Sequence, residues 1–423
     1  MSSDLTVNVS VHLERARAGD VGAMVSLADN YLNGWSLKRN PAKAEEWYRR
    51  AAEGGYVPAQ FALARLYFEG DEGVPVDPAG ALRWYRAAAE HGHAGARAAL
   101  AWCYHQGIAV ERDRVSAVHW YRLAAAGGHV IACHNLGWLY AHGEGVGRDP
   151  VQAVEWYRRA AERDYPPSQL QLGLACLRGE GVGMDEAQAV HWLKRAAGGG
   201  HPKAQYHLAL LYSGGRGVAL DEEQAAHWMQ RAAEQGYARA QFHLATFYAT
   251  GLGIEQDAVA AAQWHRAAAE QGHARAQYAL ARACARGAGV DRDPVQSRQW
   301  LERAAAQGHP KAKYRLGKIY LHGDGVKRDP AEARRWFEAA AGQGHVYARY
   351  YLGWLLAKGL GGARDDAGAY RCIYSAALVT GDERMRRRAK RMGARLPPET
   401  LARLRAEVER ENPQVVEEDD GLV

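Results

Sequence analysis

The chain has 423 residues, of which 48% are hydrophobic and 24% are charged, and this composition excludes an intrinsically disordered protein. The 47 glycines follow no triplet period, which excludes a collagen-like chain. The formal net charge is +6, but residues 384–410 carry ten Lys or Arg against three Glu, so the rest of the chain is close to neutral and argues against a nucleic-acid ligand.

Residues 1–22 are predicted to form half of a helical hairpin that caps the start of the fold. They contain no apolar segment as long as that of a signal peptide, and no later stretch is apolar enough for a transmembrane helix. The five cysteines lack the paired spacing of a disulfide framework, which favours a reducing compartment. We therefore expect a cytoplasmic protein that does not bind membranes.

Two residue types recur every 36 positions through the body of the chain. Nine tryptophans share one register, with a single interval of 37: Trp47, Trp84, Trp120, Trp156, Trp192, Trp228, Trp264, Trp300 and Trp336. Nine aspartates share a second register: Asp77, Asp113, Asp149, Asp185, Asp221, Asp257, Asp293, Asp329 and Asp365. A period of this length is typical of helical repeats that stack on one another.

Each repeat is predicted to contain two helices joined by a glycine-rich turn. In one clear example, Ala312, Leu316 and Tyr320 lie four residues apart and form one stripe of a first helix. A Gly-x-Gly-Val turn follows, and Asp329 is placed to cap the second helix. We expect Trp336, within that second helix, to fill the space between neighbouring repeats.

The opening alanines, such as Ala312, define ten repeats over residues 23–383. The predicted fold is an all-α, right-handed α-solenoid of about ten helix-turn-helix repeats of 36 residues. Residues 384–411 are predicted to be basic capping helices that close the array. Residues 412–423 are predicted to form an acidic, flexible tail.

The repeat resembles that of a known family. The residues that carry the resemblance are Leu316-Gly317, Tyr320, Gly323-x-Gly325-Val326, Asp329, Ala333, Trp336, Ala340-Ala341 and Gly344. This pattern is similar to the Sel-type repeat (SLR) family, a relative of the tetratricopeptide repeats. The resemblance implies adaptor or scaffold proteins that hold partner proteins, often in bacterial signalling or host interaction.

The likeness to tetratricopeptide arrays places the exposed side of each first helix on the concave face of the solenoid, the natural groove for a partner. With the opening alanine as place one, places three and seven are expected to look outward. Place seven supplies Trp102, Trp138, Trp354, Arg65, Arg282 and Lys318. Place three supplies His134, Tyr206, Phe242, Tyr278, Tyr314 and Tyr350. Aromatic and Arg side chains dominate binding hot spots, so a peptide or partner protein with acidic and apolar groups is predicted.

The sequence leaves the role of the place-three aromatics open, because they either line the groove or only pack against the next repeat. Place seven accepts Trp, Arg, Lys and Thr in different repeats, and a buried position would not tolerate unpaired cations. We therefore expect Trp102, Trp138 and Trp354 to be exposed and to contact the partner.

Other classes of function find less support. Histidines after the closing glycine alternate with Tyr56, Tyr165 and Tyr237, so we assign them to the turn rather than to a metal. No hydrolase or phosphate-loop motif occurs, and we expect neither a cofactor nor an enzymatic activity. This includes the β-lactamase-like activity linked to cysteine-rich relatives.

The hypothesis is a scaffold or adaptor in bacterial signalling or complex assembly. The alternatives are a secreted host-interaction factor and, with less support, a helical repeat that binds nucleic acid.

Overall fold

The computed structural model describes residues 11–412, and over that range the protein is all-α. The predicted N-terminal cap thus lies partly outside the described residues, and the predicted acidic tail lies almost wholly outside them. The one β-type contact between residues 11 and 412 is an isolated bridge from Asp71 to Val74. It sits in the turn that carries the extra residue of the 37-residue interval.

The chain divides into two compact units, Met1–Leu220 and Asp221–Val423. In the first unit, residues 11–17 are helical and Ala16 is fully buried against the helix that follows. The described part of this unit continues with α1 (Val21–Asn33), α2 (Pro41–Glu53), α3 (Val57–Glu69), α4 (Pro78–Glu90), α5 (Ala94–Gln106), α6 (Arg114–Ala126), α7 (Val130–His142), α8 (Pro150–Ala161), α9 (Pro166–Arg178), α10 (Glu186–Gly198) and α11 (Pro202–Gly214).

The second unit repeats the same hairpin and ends with two further helices. Its helices are α12 (Glu222–Glu234), α13 (Ala238–Thr250), α14 (Ala258–Glu270), α15 (Ala274–Arg286), α16 (Pro294–Ala306), α17 (Pro310–His322), α18 (Pro330–Ala341), α19 (Val346–Lys358), α20 (Asp366–Thr380), α21 (Glu383–Gly393) and α22 (Pro398–Glu411). Within each unit, successive helices up to α21 pack on one another, and α22 packs on α20. The all-α solenoid of helical hairpins predicted from the period is confirmed.

The aspartate register caps the second helices, as the sequence predicts. Asp293 Oδ1, for example, accepts a hydrogen bond from the backbone N–H of Gln296 at 2.9 Å. All nine aspartates of the register, and Asn40 before them, accept such a bond at the start of a second helix. This bond satisfies a backbone donor that the helix itself leaves free.

The second glycine of the turn is required by both conformation and space. Gly289 has φ of +71°, in the left-handed region that residues with a side chain rarely adopt. A Cβ atom at this position would lie 1.8 Å from the carbonyl oxygen of Ala258, in the second helix of the preceding repeat. The turn therefore contacts the preceding repeat through bare backbone, and this contact helps to fix the stacking of the hairpins.

The expectation that the tryptophan fills the space between repeats holds in part, because Trp84 and Trp120 each pack against two successive core clusters but are not fully buried. Trp192 is only half-buried, as is every tryptophan of the register except Trp300, whereas the next residue, Leu193, is fully buried. The outer face of many of these rings carries an arginine from the next turn of the helix, such as Arg195 at 5.1 Å from the Trp192 ring centre. The tryptophan covers the edge of the core, and its neighbour fills it.

Candidate binding surface

Place seven lies on the solvent side of the first helices in both units. Trp102 is 43% exposed, and Arg65 and Arg282 are exposed as well. Trp138, Lys318 and Trp354 are half-buried, and no place-seven residue from Arg65 to Trp354 is fully buried. Of the three tryptophans expected to be exposed, only Trp102 is, whereas Trp138 and Trp354 also pack against the core with part of each ring.

In the first unit, two of these tryptophans join with two histidines to form a continuous row of rings. The ring centres of Trp102 and His105 are 6.1 Å apart, and those of His105 and Trp138 are 5.7 Å apart. Trp138 then stacks on His142 with ring centres 4.2 Å apart. We call these four residues, on α5 and α7, the aromatic ladder.

The aromatic ladder carries a carboxylate at its edge. Glu144 forms an ion pair with Arg114, whose Nε is 2.8 Å from a carboxylate oxygen, and the same oxygen lies 3.5 Å from His105 Nε2. His105 is not among the binding residues predicted from the sequence. Its signal was its position three residues after Trp102, because residues three apart on a helix share a face.

Place-three aromatics mainly pack within their own repeat. Tyr314 stacks on His345 with ring centres 4.6 Å apart, and Tyr278 stacks on His309 at 4.8 Å. Phe242 approaches His273 at 5.0 Å in the same way. These contacts lie within one repeat, so the choice that the sequence left open, between lining the groove and packing against the next repeat, stays a prediction.

Two place-three residues are covered more completely. Tyr206 is only 8% exposed, so little of its ring is available to a partner. The Nδ1 atom of His134 is 2.9 Å from the hydroxyl of Ser168, and its ring packs against Tyr157 and Tyr165. Burial lowers the pKa of His134 to about 4, so this side chain is neutral at pH 7.

The histidines that close the repeats serve as helix caps. Nδ1 of His309 accepts a hydrogen bond from the backbone N–H of Ala312 at 3.3 Å, and four other closing histidines make the same bond. His201 makes no such cap. Burial lowers the pKa of all six closing histidines: His93, His129, His201, His273, His309 and His345. Within residues 11–412, no three His, Cys, Asp or Glu side chains gather into a metal-binding group.

In the second unit, three of the predicted residues line one cavity. Phe242, Tyr278 and Arg282 share a groove of about 550 Å³ with Arg275 and Lys311. The guanidinium of Arg282 lies over the Tyr278 ring at 5.9 Å from its centre. This groove therefore combines aromatic faces with exposed cations.

Near the end of the array, the predicted residues meet the C-terminal helices. Tyr350 lies beneath Arg388 of α21, whose guanidinium is 5.6 Å from the ring centre and donates to the phenol oxygen. Trp354 packs against the core cluster that includes Ile373 and Met392. Part of the basic stretch thus has a packing role.

The cysteines offer no activated nucleophile. All five thiols are free, and four of them are buried. Burial raises the pKa of Cys103 and Cys372 to about 11, so both remain protonated at neutral pH. None of the helices between residues 11 and 412 is long and apolar enough to cross a membrane.

Helical hairpins of constant length, with capped second helices and glycine turns, define a repeat protein of the α-solenoid class. The chain belongs to the Sel1 repeat family, whose profile matches ten consecutive segments: residues 21–56, 57–93, 94–129, 130–165, 166–201, 202–237, 238–273, 274–309, 310–345 and 346–378. Sel1 repeat proteins generally act as protein-interaction scaffolds.

Two solved structures agree with this assignment. The chain is similar to c5321, a protective antigen of uropathogenic Escherichia coli strains with an SLR fold, at 31% identity and a TM-score of 0.65, over 98% of this chain and 97% of that one. It is also similar to a Sel1 repeat protein from Oxalobacter formigenes, at 34% identity and a TM-score of 0.59, over 78% of this chain and 93% of that one. Comparison with curated protein sequences gives no match.

Proposed function

We propose that this protein is a non-enzymatic scaffold that binds a partner protein or peptide on the exposed side of its first helices. The observation that carries the proposal is the aromatic ladder, in which Trp102 is 43% exposed and is linked through His105 to Trp138. Large aromatic surfaces with polar edges are the groups most often found at the centre of protein interfaces. A bacterial signalling or assembly complex is the proposed setting.

The ladder suits a partner with both apolar and basic or hydrogen-bonding groups. Its rings offer flat apolar area, and the carboxylate of Glu144 lies beside His105. Arg114 already pairs with that carboxylate, so a partner's contribution there is expected to be minor compared with ring contacts. Binding by the ladder should therefore depend weakly on salt.

The test is to replace both tryptophans with alanine, as Trp102→Ala and Trp138→Ala together. The full chain is immobilised, native lysate is passed over it, and recovered partners are named by mass spectrometry and then titrated in purified form. We expect the double variant to keep the wild-type helical circular dichroism and to bind the partner at least about tenfold more weakly, a loss of about 1.4 kcal/mol.

Trp35→Ala is the matched control, because Trp35 is 72% exposed and lies in a turn outside the ladder. This variant should bind the partner like the wild type. Full-strength binding by a folded double variant would place recognition elsewhere. Unfolding of the double variant would show that place seven belongs to the core.

A second candidate places the same surface outside the cell, in contact with a host. The likeness to c5321, a protective antigen, is the observation that favours it. The five free, unpaired thiols instead support a reducing compartment and the first candidate. Fractionation of the native cell, with the protein followed by antibody, separates the two.

A further inference from the structure

A groove between two successive first helices of the second unit is rich in cationic side chains. It has a volume of about 680 Å³ and lies between α15 and α17, with residues of α16 and the following turn at its floor. Five of its lining side chains are cationic: Arg282, Arg286, Arg292, Arg315 and Lys318. Four of these side chains are exposed, and Lys318 is half-buried. We call these five residues the basic groove.

Among the described residues, no cation of the basic groove has a carboxylate partner, although Arg282 and Lys318 lie over the rings of Tyr278 and Tyr351. Within residues 11–412, none of the five lies within 4 Å of a carboxylate oxygen or donates a side-chain hydrogen bond. Asp324 is the one carboxylate among the lining residues, and it makes no ion pair with the described residues around it. Like charges held close together repel one another, so the groove is best satisfied by an added anion.

In the equivalent groove of the first unit, by contrast, the arginines have partners within the protein. There, Arg178 pairs with Glu180 at 3.6 Å. Arg148 donates from Nε to the carbonyl oxygen of Ala141 at 3.2 Å. Arg292 occupies the same place in its repeat as Arg148, but no such bond engages it.

The layout of the basic groove fits an extended chain better than a single small anion. Arg282 and Lys318 occupy place seven in neighbouring repeats, and packed helices of this kind lie about 10 Å apart. An extended peptide in the polyproline II form advances about 3.1 Å per residue with three residues per turn, so side chains three residues apart lie on one side and match that spacing. Leu301, Ile319 and Pro294 add apolar surface to the lining.

We propose that the basic groove binds an extended acidic segment of a partner protein, with carboxylates about three residues apart. The inference rests on the proposed function, because it names the chemistry of a partner for the same side of the repeats. Guanidinium groups suit carboxylates, since their planar donors form paired hydrogen bonds with both oxygens. The flanking aromatic faces at Tyr278 and Tyr314 are stacked on histidines and so are poorly placed to stack on nucleic-acid bases.

The experiment uses the full chain and a defined probe. The probe is a fluorescein-labelled peptide of twelve residues with a glutamate at every third position, separated by leucine and glycine, and its control has glutamine in place of glutamate. Fluorescence anisotropy measures the affinity of each. We expect the glutamate peptide to bind and the glutamine peptide to bind at least tenfold more weakly.

Charge reversal locates the site. The combination Arg286→Glu and Arg292→Glu should weaken the glutamate peptide at least tenfold. The control combination, Arg148→Glu and Arg178→Glu, changes the net charge equally in the first unit and should stay within twofold of the wild type. If the variant with Arg286→Glu and Arg292→Glu does not fold, the variant with Arg286→Gln and Arg292→Gln should still bind the glutamate peptide at least threefold more weakly than the wild type.

Several results would overturn the proposal. They are no binding of the glutamate peptide, equal weakening by the two charge-reversed pairs, or tighter binding of a labelled twelve-nucleotide RNA with the same dependence on Arg286 and Arg292. A chain shortened after Asn412 that binds the peptide tenfold more tightly would show that the chain's own acidic residues 417–420 fill the groove, and would overturn a partner as occupant.

The peptide-binding experiment and the test of the proposed function examine different surfaces, so either can fail without the other. The variant with Trp102→Ala and Trp138→Ala lies in the first unit and should bind the glutamate peptide like the wild type. Loss of partner capture in that variant tests the ladder alone. Loss of peptide binding in the Arg286 and Arg292 variants tests the basic groove alone.

Discussion

The first and the second unit each contain a groove lined by residues at equivalent positions of their repeats. The two grooves differ in charge. Between α7 and α9 the groove holds about 460 Å³, and between α15 and α17 about 680 Å³. Gln171 and Leu174 line the first groove where Arg315 and Lys318 line the second. Two sites of different chemistry thus stand on equivalent helices.

The inner places of the two grooves keep their apolar character, whereas the outer places differ in charge. Pro150 and Pro294 begin the second helices of the two repeats, and Tyr157 and Leu301 are both buried beneath the grooves. The scaffold depends on these inner places, because they join each hairpin to the next. The outer places contact water, so their charge can change without loss of the fold.

The largest effect should come from breaking an inner place in either unit. Leu193 and Leu301 occupy the same place of their repeats, and both are buried. Leu193→Ala and Leu301→Ala should each lower the free energy of unfolding by about 2–5 kcal/mol, because each leaves a cavity in a packed core. Urea denaturation followed by circular dichroism measures the loss.

The control for Leu193→Ala and Leu301→Ala is the substitution of an exposed residue. Arg282→Ala should change the free energy of unfolding by less than about 1 kcal/mol, since its side chain is exposed. Trp192→Ala should cost less than Leu193→Ala, because Trp192 is only half-buried. A larger loss for Trp192→Ala would restore the tryptophan as the main filler of the core.

This difference shows what the sequence can and cannot predict. The 36-residue period, the aspartate caps and the glycine turns are visible as repeated letters, and each is confirmed. Trp192 is repeated but half-buried, whereas the residue after the tryptophan is a buried Tyr, Leu, Met or Phe in eight repeats and the half-buried His265 in another. A core position needs only an apolar side chain that fits its own repeat, so it leaves no constant letter in the sequence.

The candidate site was predictable only in part for a related reason. The solvent side of place seven follows from the mixture of Trp, Arg and Lys in the sequence. The aromatic ladder depends on the ring contacts of His105, which meets Trp102 on its own helix and Trp138 in the next repeat. The basic groove depends on the lack of ion pairs around Arg286 and Arg292. Distances between side chains on different helices decide both features.

A graft tests whether charge alone distinguishes the two grooves. Gln171→Arg and Leu174→Lys place cations in the first groove where Arg315 and Lys318 lie in the second. In the background of Arg286→Glu and Arg292→Glu, this graft should raise the affinity for the glutamate peptide about tenfold, equal to about 1.4 kcal/mol. Fluorescence anisotropy measures the gain.

The matched control for the graft is Gln171→Ala with Leu174→Ala in the same background, which should give no gain. The graft should also lose its effect at 0.5 M salt, because exposed charges are screened over a few ångströms at that concentration. A graft that folds but binds no better than the alanine control would mean that the second groove owes its specificity to shape as well as charge.

The smallest expected effect concerns pH and the caps of the first helices. His273, His309 and His345 cap α15, α17 and α19 through a neutral Nδ1, whereas Tyr237 precedes α13 and makes no side-chain cap. Burial lowers the pKa of the three histidines below the ordinary value of 6.5. The unfolded chain therefore takes up protons first as the pH falls. Their stabilising contribution is complete above about pH 6.5 and declines from there toward pH 5.

Hydrogen exchange resolves this effect helix by helix, because each cap acts on its own first turn. Between pH 7.5 and pH 5.0, the protection factors of the first turns of α15, α17 and α19 should fall by about threefold to tenfold relative to that of α13, since the loss of a helix cap costs about 1 kcal/mol. His309→Asn should abolish the fall in α17 alone, because asparagine caps a helix without titrating in this range. A fall in α13 as large as in its neighbours, or an unchanged fall in α17 of this variant, would assign the pH response to groups other than the caps.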